Sequence, residues 1–282
     1  MRTVPRQVRV GHSPDPDDAF MFFGIASERV DLRGFEFRQV LEDIESLNRR
    51  AFQGEIEVTA VSVHAYAHLA DRYALMSCGA SMGDGYGPLV VARSPLPVER
   101  LASCTIAVPG TLTSAFLALR LCLGADFGHR VIPFDRILAA VSNGEADAGL
   151  IIHEGQVTYA RERLVKVLDL GAWWAEGTGG LPLPLGANVV RRDLGGEAMS
   201  ALTAVLRDSI EYGLAHREEA LAYAREFGRG LDAPMTDRFV GMYVNGFTRD
   251  YGERGRAAVR RFLEEGAAVG IVPSVPALEF VA

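Results

Sequence analysis

The segment Asp147-Ala148-Gly149-Leu150-Ile151-Ile152-His153-Glu154 decides how the rest of the chain is interpreted. Its apolar run has the length of a buried strand and ends abruptly in a histidine and a glutamate. In open α/β sheets, ligands bind in the crevice outside the carboxyl ends of the strands. Histidine changes charge near physiological pH, so it can act as a base without special tuning. The segment predicts a functional residue at His153, although a histidine in this place can also be a simple polar terminus.

Composition limits the classes of partner. The 282 residues suffice for one large or two medium domains, and the net charge is −7 with a pI of about 5.5. This balance argues against nucleic acid as a partner, since nucleic acid requires a basic face. It does not exclude a small anionic ligand, which one local site can bind.

The three cysteines, Cys78, Cys104 and Cys122, lack metal-ligand spacing and are expected to be small buried residues in a reducing compartment.

The beginning of the sequence predicts no secretory signal, because residues 1–13 contain three arginines and no apolar core region. No stretch approaches the roughly 18 apolar residues that span a bilayer. We therefore expect a cytoplasmic protein without a membrane partner. The sequence leaves the oligomeric state open.

Two segments of the chain resemble each other, residues 43–62 and 135–153. In each, an aspartate opens an amphipathic helical pattern, a glycine follows where a helix ends, and an apolar strand comes last. The aspartates and glycines are Asp43, Gly54, Asp135 and Gly144. Similarity by chance is the alternative, because βα units resemble one another generically.

A second correspondence precedes each of these segments. Residues 8–22 and 105–117 both read as strand, tight turn and helix, so matched units occur in the same order in each half. Apolar, proline-flanked strands at 87–95 and 181–190 join the halves, and an α-rich tail follows. A chain that crosses to a second domain and returns has two hinge strands, which predicts a two-lobed α/β protein with a ligand cleft between the lobes.

The predicted lobe 1 comprises residues 1–92 plus 190–282 with the C-terminal helices, and lobe 2 comprises residues 93–189. A single continuous α/β sheet is the alternative. It explains the two proline-flanked strands less well.

Four strand ends supply the polar side chains of the predicted cleft, at residues 13–18, 62–64, 111–114 and 153–155. Helices begin at two or three of them, and helix N-termini suit a carboxylate or phosphate. Residues 110–114 are the best anion candidate because they carry hydroxyls and no acidic side chain. An ordinary N-cap is the alternative.

The carboxylates of Asp15, Asp17 and Asp18 are open to several interpretations. They could serve as base, metal ligands or helix caps. Capping is the default, with Asp17 and Asp18 where an N-cap and a first-turn acid belong. A metal site requires a larger ligand set with defined spacing, so we expect none.

Short motifs distributed in order along almost the whole chain carry a resemblance to a known family. They are Ser13-Pro-x-Pro-x-Asp18-x-Phe20, Val40-Leu41-Glu42-Asp43, Ala65-Tyr66-Ala67 with Asp71-Arg72-Tyr73, Gly87-Pro-Leu-Val-Val-Ala-Arg93, Gly149-Leu-Ile-Ile-His-Glu154, Asp169-Leu-Gly-Ala-Trp-Trp174, Leu181-Pro-Leu-Pro-Leu-Gly186 and Tyr243-Val-Asn245. With these motifs the chain resembles the 1,4-dihydroxy-6-naphthoate synthase family of the futalosine route to menaquinone. The resemblance implies a two-lobed, periplasmic-binding-protein-like (type II) fold.

The resemblance also implies an activity, the conversion of cyclic dehypoxanthine futalosine to 1,4-dihydroxy-6-naphthoate by carbon–carbon cleavage without a cofactor. It implies that His153 is the general base. Substrate contacts carried over from the family fall on Ala60, Val61, Ser62, Ser114 and Ala115. The strand ends add Ser13, Asp18, Thr113 and Glu154, of which Glu154 is expected to orient or flank the histidine.

The chain departs from the family pattern at Asp15 and Asp17, where the family often has cysteine and asparagine. These residues add negative charge near a site expected to hold an anionic substrate. Two other functions remain open, the related chorismate dehydratase and a non-catalytic solute-binding protein for a small anion. The His-Glu strand end and the Leu181–Gly186 motif favour the synthase, and the expected lack of a signal argues against the solute-binding protein.

Overall fold

The computed structural model describes residues 6–124 and 127–282. Residues 1–5, which belong to the segment predicted to lack a secretory signal, and residues 125–126 lie outside the described residues. The strands are β1 (Arg6–His12), β2 (Phe35–Leu41), β3 (Val58–Ser62), β4 (Tyr73–Met76), β5 (Ser81–Gly83), β6 (Leu89–Ala92), β7 (Ile106–Val108), β8 (His129–Val131), β9 (Ala148–Ile151), β10 (Val165–Asp169), β11 (Leu183–Arg191) and β12 (Phe280–Val281).

The helices alternate with the strands and then dominate the C-terminal part. They are α1 (Pro16–Ala26), α2 (Ile44–Gln53), α3 (Val63–Tyr66), α4 (Ser114–Leu123), α5 (Ile137–Ser142), α6 (Gly155–Thr158), α7 (Leu170–Thr178), α8 (Gly196–Ala215), α9 (Arg217–Arg225), α10 (Ala233–Tyr243), α11 (Gly246–Arg249) and α12 (Gly252–Ala268). Short 3-10 helices lie at Val98–Ser103, Phe134–Arg136, Tyr159–Glu162 and Arg192–Leu194.

The strands form two sheets with matching topology. One has the order β12-β4-β11-β3-β1-β2, with β5 also paired to β11, and the other has the order β10-β6-β9-β7-β8. In the first, β1 pairs in parallel with β2 and β3, and β11 is antiparallel to β3 and β4. In the second, β7 pairs in parallel with β8 and β9, and β6 is antiparallel to β9 and β10. The run β2-β1-β3-β11-β4 therefore corresponds strand for strand to β8-β7-β9-β6-β10, as the internal repeat predicts.

The chain forms two compact units. The first comprises Met1–Ser81, Gly186–Gly252 and Pro276–Ala282, and the second comprises Met82–Leu185 and Glu253–Val275. The division predicted from the sequence, residues 1–92 plus 190–282 against 93–189, stays a prediction. The units described here differ from it mainly in that residues 253–275 belong to the second unit.

Helix α1 lies at the centre of the first unit. Residues 16–25 are all buried, because α8, α9 and α10 pack around the helix. The apolar side chains of α8 that face this core are Leu202, Val205, Leu206 and Ile210. The Ser209 hydroxyl donates to the carbonyl oxygen of Met21 (2.7 Å), which ties the two helices together.

The core of the second unit packs α5 against β9. Ile137 and Val141 of the helix contact the strand where Gly149 leaves room for them. Trp174 is also part of this unit's interior, edge-to-face with Phe262 at 5.4 Å, and its indole N–H donates to the Pro182 carbonyl oxygen (3.1 Å). This contact is consistent with the packing role that tryptophan usually takes.

The sequence predicts that an aspartate begins a helix in each of the two similar segments, and this is right for Asp43 and wrong for Asp135. Asp43 caps α2 by accepting from the backbone N–H groups of Glu45 and Ser46, and Gly54 ends the helix at φ +66°. Asp135, in contrast, does not cap α5. It lies inside a 3-10 helix that follows Pro133, and α5 continues directly from that turn.

The cysteines are free thiols, but only Cys78 is fully buried, which corrects the expectation for Cys104 and Cys122. Burial raises the pKa of Cys78 to about 12. Within residues 6–124 and 127–282, no helix has the length and apolar character needed to cross a membrane.

Replacing Gly149 with alanine is expected to lower the free energy of unfolding by about 1–3 kcal/mol, the usual cost of overpacking a core. A Cβ atom at this position would lie 2.6 Å from Ile137 Cγ2 and 2.8 Å from Val141 Cγ2. Urea denaturation measures the change. Gly177→Ala is the matched control, because a Cβ there meets no heavy atom within 4 Å and alanine favours the helix. Equal stability of the two variants would contradict the packing argument.

Candidate functional site

The turn between β1 and α1 is closed by its own carboxylates. Asp15 is the N-cap of α1, with its side chain accepting from the Asp18 N–H (3.3 Å), and Asp18 Oδ2 accepts from the Ser13 N–H (2.8 Å). The sequence predicted the cap at Asp17, which is wrong by two residues. Pro16 explains the difference, since proline fits the first helical position, where no N–H is needed. Ser13 and Asp18, both predicted as substrate contacts, thus lie together.

Asp17 is a buried carboxyl group in the first turn of α1. Its pKa is raised well above the ordinary value, first because burial disfavours the charged form and then because the carboxylates of Asp15 and Asp18 repel it. Among the described residues, its Oδ1 has no hydrogen-bond partner. Asp17 therefore holds a proton more tightly than an exposed aspartate does.

His12, the last residue of β1, is a buried histidine that the sequence analysis missed. Its ring stacks on Phe22 with centroids 4.5 Å apart, and Nδ1 lies 3.0 Å from the carbonyl oxygen of Ser13. Since that oxygen only accepts, Nδ1 carries the proton and Nε2 carries a lone pair. Nε2 has no partner among the described residues, and burial lowers the pKa of the ring. Its position at the end of a predicted strand is the signal that could have identified it.

The predicted contacts Ala60, Val61 and Ser62 are the last three residues of β3, an interior strand of the same sheet, and all three are buried. Because β3 runs parallel to β1, with Thr59 beside Gly11, Ser62 at the end of β3 and Ser13 just after β1 lie at the carboxyl ends of neighbouring strands. Asn48 of α2 binds Ser62 twice. Its Oδ1 accepts from the Ser62 N–H (2.8 Å), and its Nδ2 donates to the Ser62 hydroxyl oxygen (3.1 Å). Asn48 was also missed, because nothing in its local sequence indicates this partner.

In the second unit, the remaining predicted residues follow the equivalent strands. Strand β7 runs parallel to β9, with Ala107 beside Gly149, so residues 113–115 and 153–154 lie beyond the same edge of that sheet. The predicted site residues therefore fall into two sets, one in each unit. The first set is Ser13, Asp18, Ala60, Val61 and Ser62, and the second is Thr113, Ser114, Ala115, His153 and Glu154.

The two hydroxyl groups at the start of α4, those of Thr113 and Ser114, donate to backbone carbonyl oxygens of the same unit. Thr113 caps the helix by accepting from the Phe116 N–H (3.1 Å) and donates to the Gly110 carbonyl oxygen (2.9 Å). Ser114 donates to the Leu185 carbonyl oxygen at 2.6 Å. An anion at this turn would therefore meet the backbone N–H groups of the first helical turn rather than the hydroxyl protons of Thr113 and Ser114.

His153 stands in an unusual backbone conformation. Strand β9 ends at Ile151, two residues earlier than predicted, and His153 has φ +52°, in the left-handed region. For a residue with a Cβ this conformation costs about 1–2 kcal/mol. The imidazole lies edge-to-face on Phe134 at 4.8 Å, and the backbone carbonyl oxygen accepts from the Gln156 N–H (3.1 Å). Glu154 is buried beside it, at the start of α6.

Comparison with known proteins gives a consistent set of similarities. The sequence profile of a family described as menaquinone biosynthesis matches residues 8–268. A 1,4-dihydroxy-6-naphtoate synthase from Thermus thermophilus is 45% identical over 274 residues, covering 97% of this chain and 99% of the relative. The enzyme with the same name from Streptomyces coelicolor is 38% identical over 274 residues, covering 95% of both chains.

Solved structures agree with the fold predicted from the sequence. A crystal structure of a protein from Archaeoglobus fulgidus has a TM-score of 0.90 at 48% identity, covering 94% of this chain and 98% of that chain. The alkanesulfonate-binding protein SsuA from Xanthomonas axonopodis pv. citri has a TM-score of 0.71 at 14% identity, covering 96% of both chains, which shows the fold alone. The prediction of an α/β, periplasmic-binding-protein-like fold is confirmed.

Asp17→Asn is expected to stabilise the protein at pH 7. The raised pKa means that the folded state binds the Asp17 proton more tightly than the unfolded state, so wild-type stability falls as pH rises above the ordinary value of 3.8. Asparagine resembles the protonated form and removes this loss. The difference between variant and wild type should shrink as pH falls toward that value.

Thermal unfolding of both proteins across this pH range measures the effect. The control is Asp71→Asn, at an exposed carboxylate in the same unit. A variant that is less stable than wild type at pH 7 would show that ionised Asp17 stabilises the fold.

Proposed function

We propose, from the premise that the chain belongs to the menaquinone biosynthesis family, that it is a carbon–carbon lyase converting cyclic dehypoxanthine futalosine to 1,4-dihydroxy-6-naphthoate. The proposal is supported by two relatives named 1,4-dihydroxy-6-naphtoate synthase, whose similarity extends over nearly the full length of each chain.

The observation that carries the chemical part of the proposal is the left-handed backbone of His153 beyond the carboxyl end of β9. Residues held in sparsely populated conformations persist only where the surrounding fold imposes them, and they cluster at active sites. A strand end in an α/β sheet is also where ligands bind. These features support His153 as the general base.

The proposed reaction starts when His153 removes a proton from a substrate hydroxyl group. The resulting alkoxide collapses to a carbonyl as the adjacent carbon–carbon bond breaks, in the manner of a retro-aldol reaction. The electron pair of that bond passes to the other fragment as an enolate, and the protonated His153 returns the proton to the products. Formation of an aromatic product supplies driving force. A positioned general base contributes about 10²–10⁴-fold to the rate. The scheme requires no redox step and therefore calls for no redox cofactor.

Substrate recognition is proposed to use two kinds of group at the strand ends, the backbone N–H groups that begin a helix and polar side chains. The first-turn N–H groups of α4, at Ser114 and Ala115, are suited to an anionic oxygen. Ser13, Asp18 and the β3 residues 60–62 are proposed as further contacts, and Glu154 is proposed to orient or flank the histidine. The enclosure of substrate between two lobes, the cytoplasmic location and the absence of nucleic-acid or membrane partners stay predictions.

The first test is incubation of the purified protein with cyclic dehypoxanthine futalosine, followed by mass spectrometry for 1,4-dihydroxy-6-naphthoate. Wild type should form the product, and His153→Ala should be slower by about 10²–10⁴-fold. His216→Ala, at an exposed histidine, should retain full activity. Equal rates for all three proteins would remove His153 from its role. A folded wild type without product would turn attention to chorismate, and then to ligand binding without turnover.

A second test separates the strain at His153 from its chemistry. His153→Gly should be more stable than His153→Ala by about 1 kcal/mol, because glycine adopts positive φ without steric cost. Both variants should be equally inactive. Chemical denaturation and the product assay measure the two properties, and an alanine variant as stable as the glycine variant would contradict the strained conformation.

A further inference from the structure

We infer that Asn48 is a positioning residue which makes the Ser62 hydroxyl a hydrogen-bond donor to an acceptor oxygen of the substrate. The inference rests on the proposed function, in which Ser62 contacts the substrate. It assigns a role to Asn48 and a direction to one hydrogen bond.

Asn48 is a buried polar residue. The residue is fully buried on the inner face of α2, next to Leu47 and in line with Ala51, where an apolar side chain would be the ordinary choice. A buried amide is costly unless its polar atoms are hydrogen-bonded. Both ends of the Asn48 amide bind Ser62, 14 residues further along the chain.

The orientation of the Asn48 amide follows from its two contacts with Ser62. A backbone N–H can only donate, so the Asn48 atom 2.8 Å from the Ser62 nitrogen must be the oxygen Oδ1. The amide nitrogen Nδ2 is then the atom 3.1 Å from the Ser62 hydroxyl oxygen. Since an amide nitrogen only donates, the hydroxyl oxygen accepts this bond.

The contact with Asn48 does not use the Ser62 hydroxyl proton. The Ser62 oxygen uses a lone pair to accept from Nδ2, so its single hydroxyl proton is still available for a hydrogen bond. Among the described residues, this hydroxyl group donates to no acceptor. Ser114 differs, because its hydroxyl proton is directed to the Leu185 carbonyl oxygen. Ser62 is thus suited to recognise an acceptor such as a carboxylate or carbonyl oxygen.

Asn48 and Ser62 lie on a helix and a strand that are tightly packed. Asp43 and Gly54 fix the two ends of α2, and Leu47 packs with Ile56 and Ala60 beneath it. Gly11 of β1 lies so close that a Cβ there would be 2.7 Å from Thr59 Oγ1 and 3.0 Å from Leu47 Cδ2. The helix and strand that carry Asn48 and Ser62 therefore have little room to shift.

The test is a double-mutant cycle of Asn48→Ala and Ser62→Ala, measured by kcat/KM for the proposed substrate. Each single variant should lose about 10–100-fold, the usual range for a hydrogen bond to a charged group, mainly through KM. In the Ser62→Ala background, Asn48→Ala should cause no further loss of kcat/KM while still lowering the stability to urea. The same loss in both backgrounds would overturn the inference.

Asn48→Asp is the second variant, chosen because it can fold with its hydrogen bonds to Ser62 intact. One oxygen of its carboxylate still accepts from the Ser62 N–H. The second oxygen can only accept as well, so the Ser62 hydroxyl must donate to residue 48 and no longer offers its proton to the substrate. KM should therefore rise as far as in Ser62→Ala. Gln53→Glu, which places the same charge change on an exposed position of α2, should leave KM unchanged.

The outcomes separate this inference from the proposed function. An active wild type whose Asn48→Asp variant keeps its KM would overturn the role of Asn48 alone. A folded wild type without turnover would overturn both.

Discussion

The parallel pairing of β1 with β3, and of β7 with β9, is the constraint on which the candidate site depends. Parallel neighbours point their carboxyl ends to one edge, so residues far apart in sequence follow strands that end side by side. The antiparallel strands β11 and β6 lie next to these pairs at matching places in the two sheets. Because the arrangement occurs twice, each unit has its own edge with polar groups, and the candidate residues divide between those edges.

Periodicity and helix-capping residues sufficed to predict most of the fold. The strands around residues 89–92, 148–151 and 183–191, and the helices after residue 195, lie close to where the sequence indicates them. Capping residues predicted the wrong helix start where a neighbouring residue or turn determined it instead. Asp15 rather than Asp17 caps α1 because Pro16 fits the first helical position, and a 3-10 helix includes Asp135. Such choices depend on the backbone path, which propensity does not specify.

The site was predicted in outline because histidine and serine at strand ends are visible in the sequence. The partners that define what these groups do were not. Asn48 contacts Ser62 only after α2 packs against β3, and the Leu185 carbonyl oxygen accepts a hydrogen bond from the Ser114 hydroxyl only in the folded unit.

The charge of the candidate site was also harder to judge from the sequence. Asp17 adds a carboxyl group near the candidate site, but burial and its acidic neighbours favour its neutral form, so the turn carries less negative charge than its composition suggests.

The way the chain is divided between the two units bears on its synthesis. The first unit is complete only when residues 276–282 join it, with β12 pairing to β4, and the second requires residues 253–275. Neither unit is a continuous stretch, so neither can fold fully before residues 253–282 have been synthesised. Contacts between such distant segments slow folding, because long loops must close before the contacts form. The last thirty residues therefore work as a shared closing segment, and a chain that stops at residue 252 would leave both units unfinished.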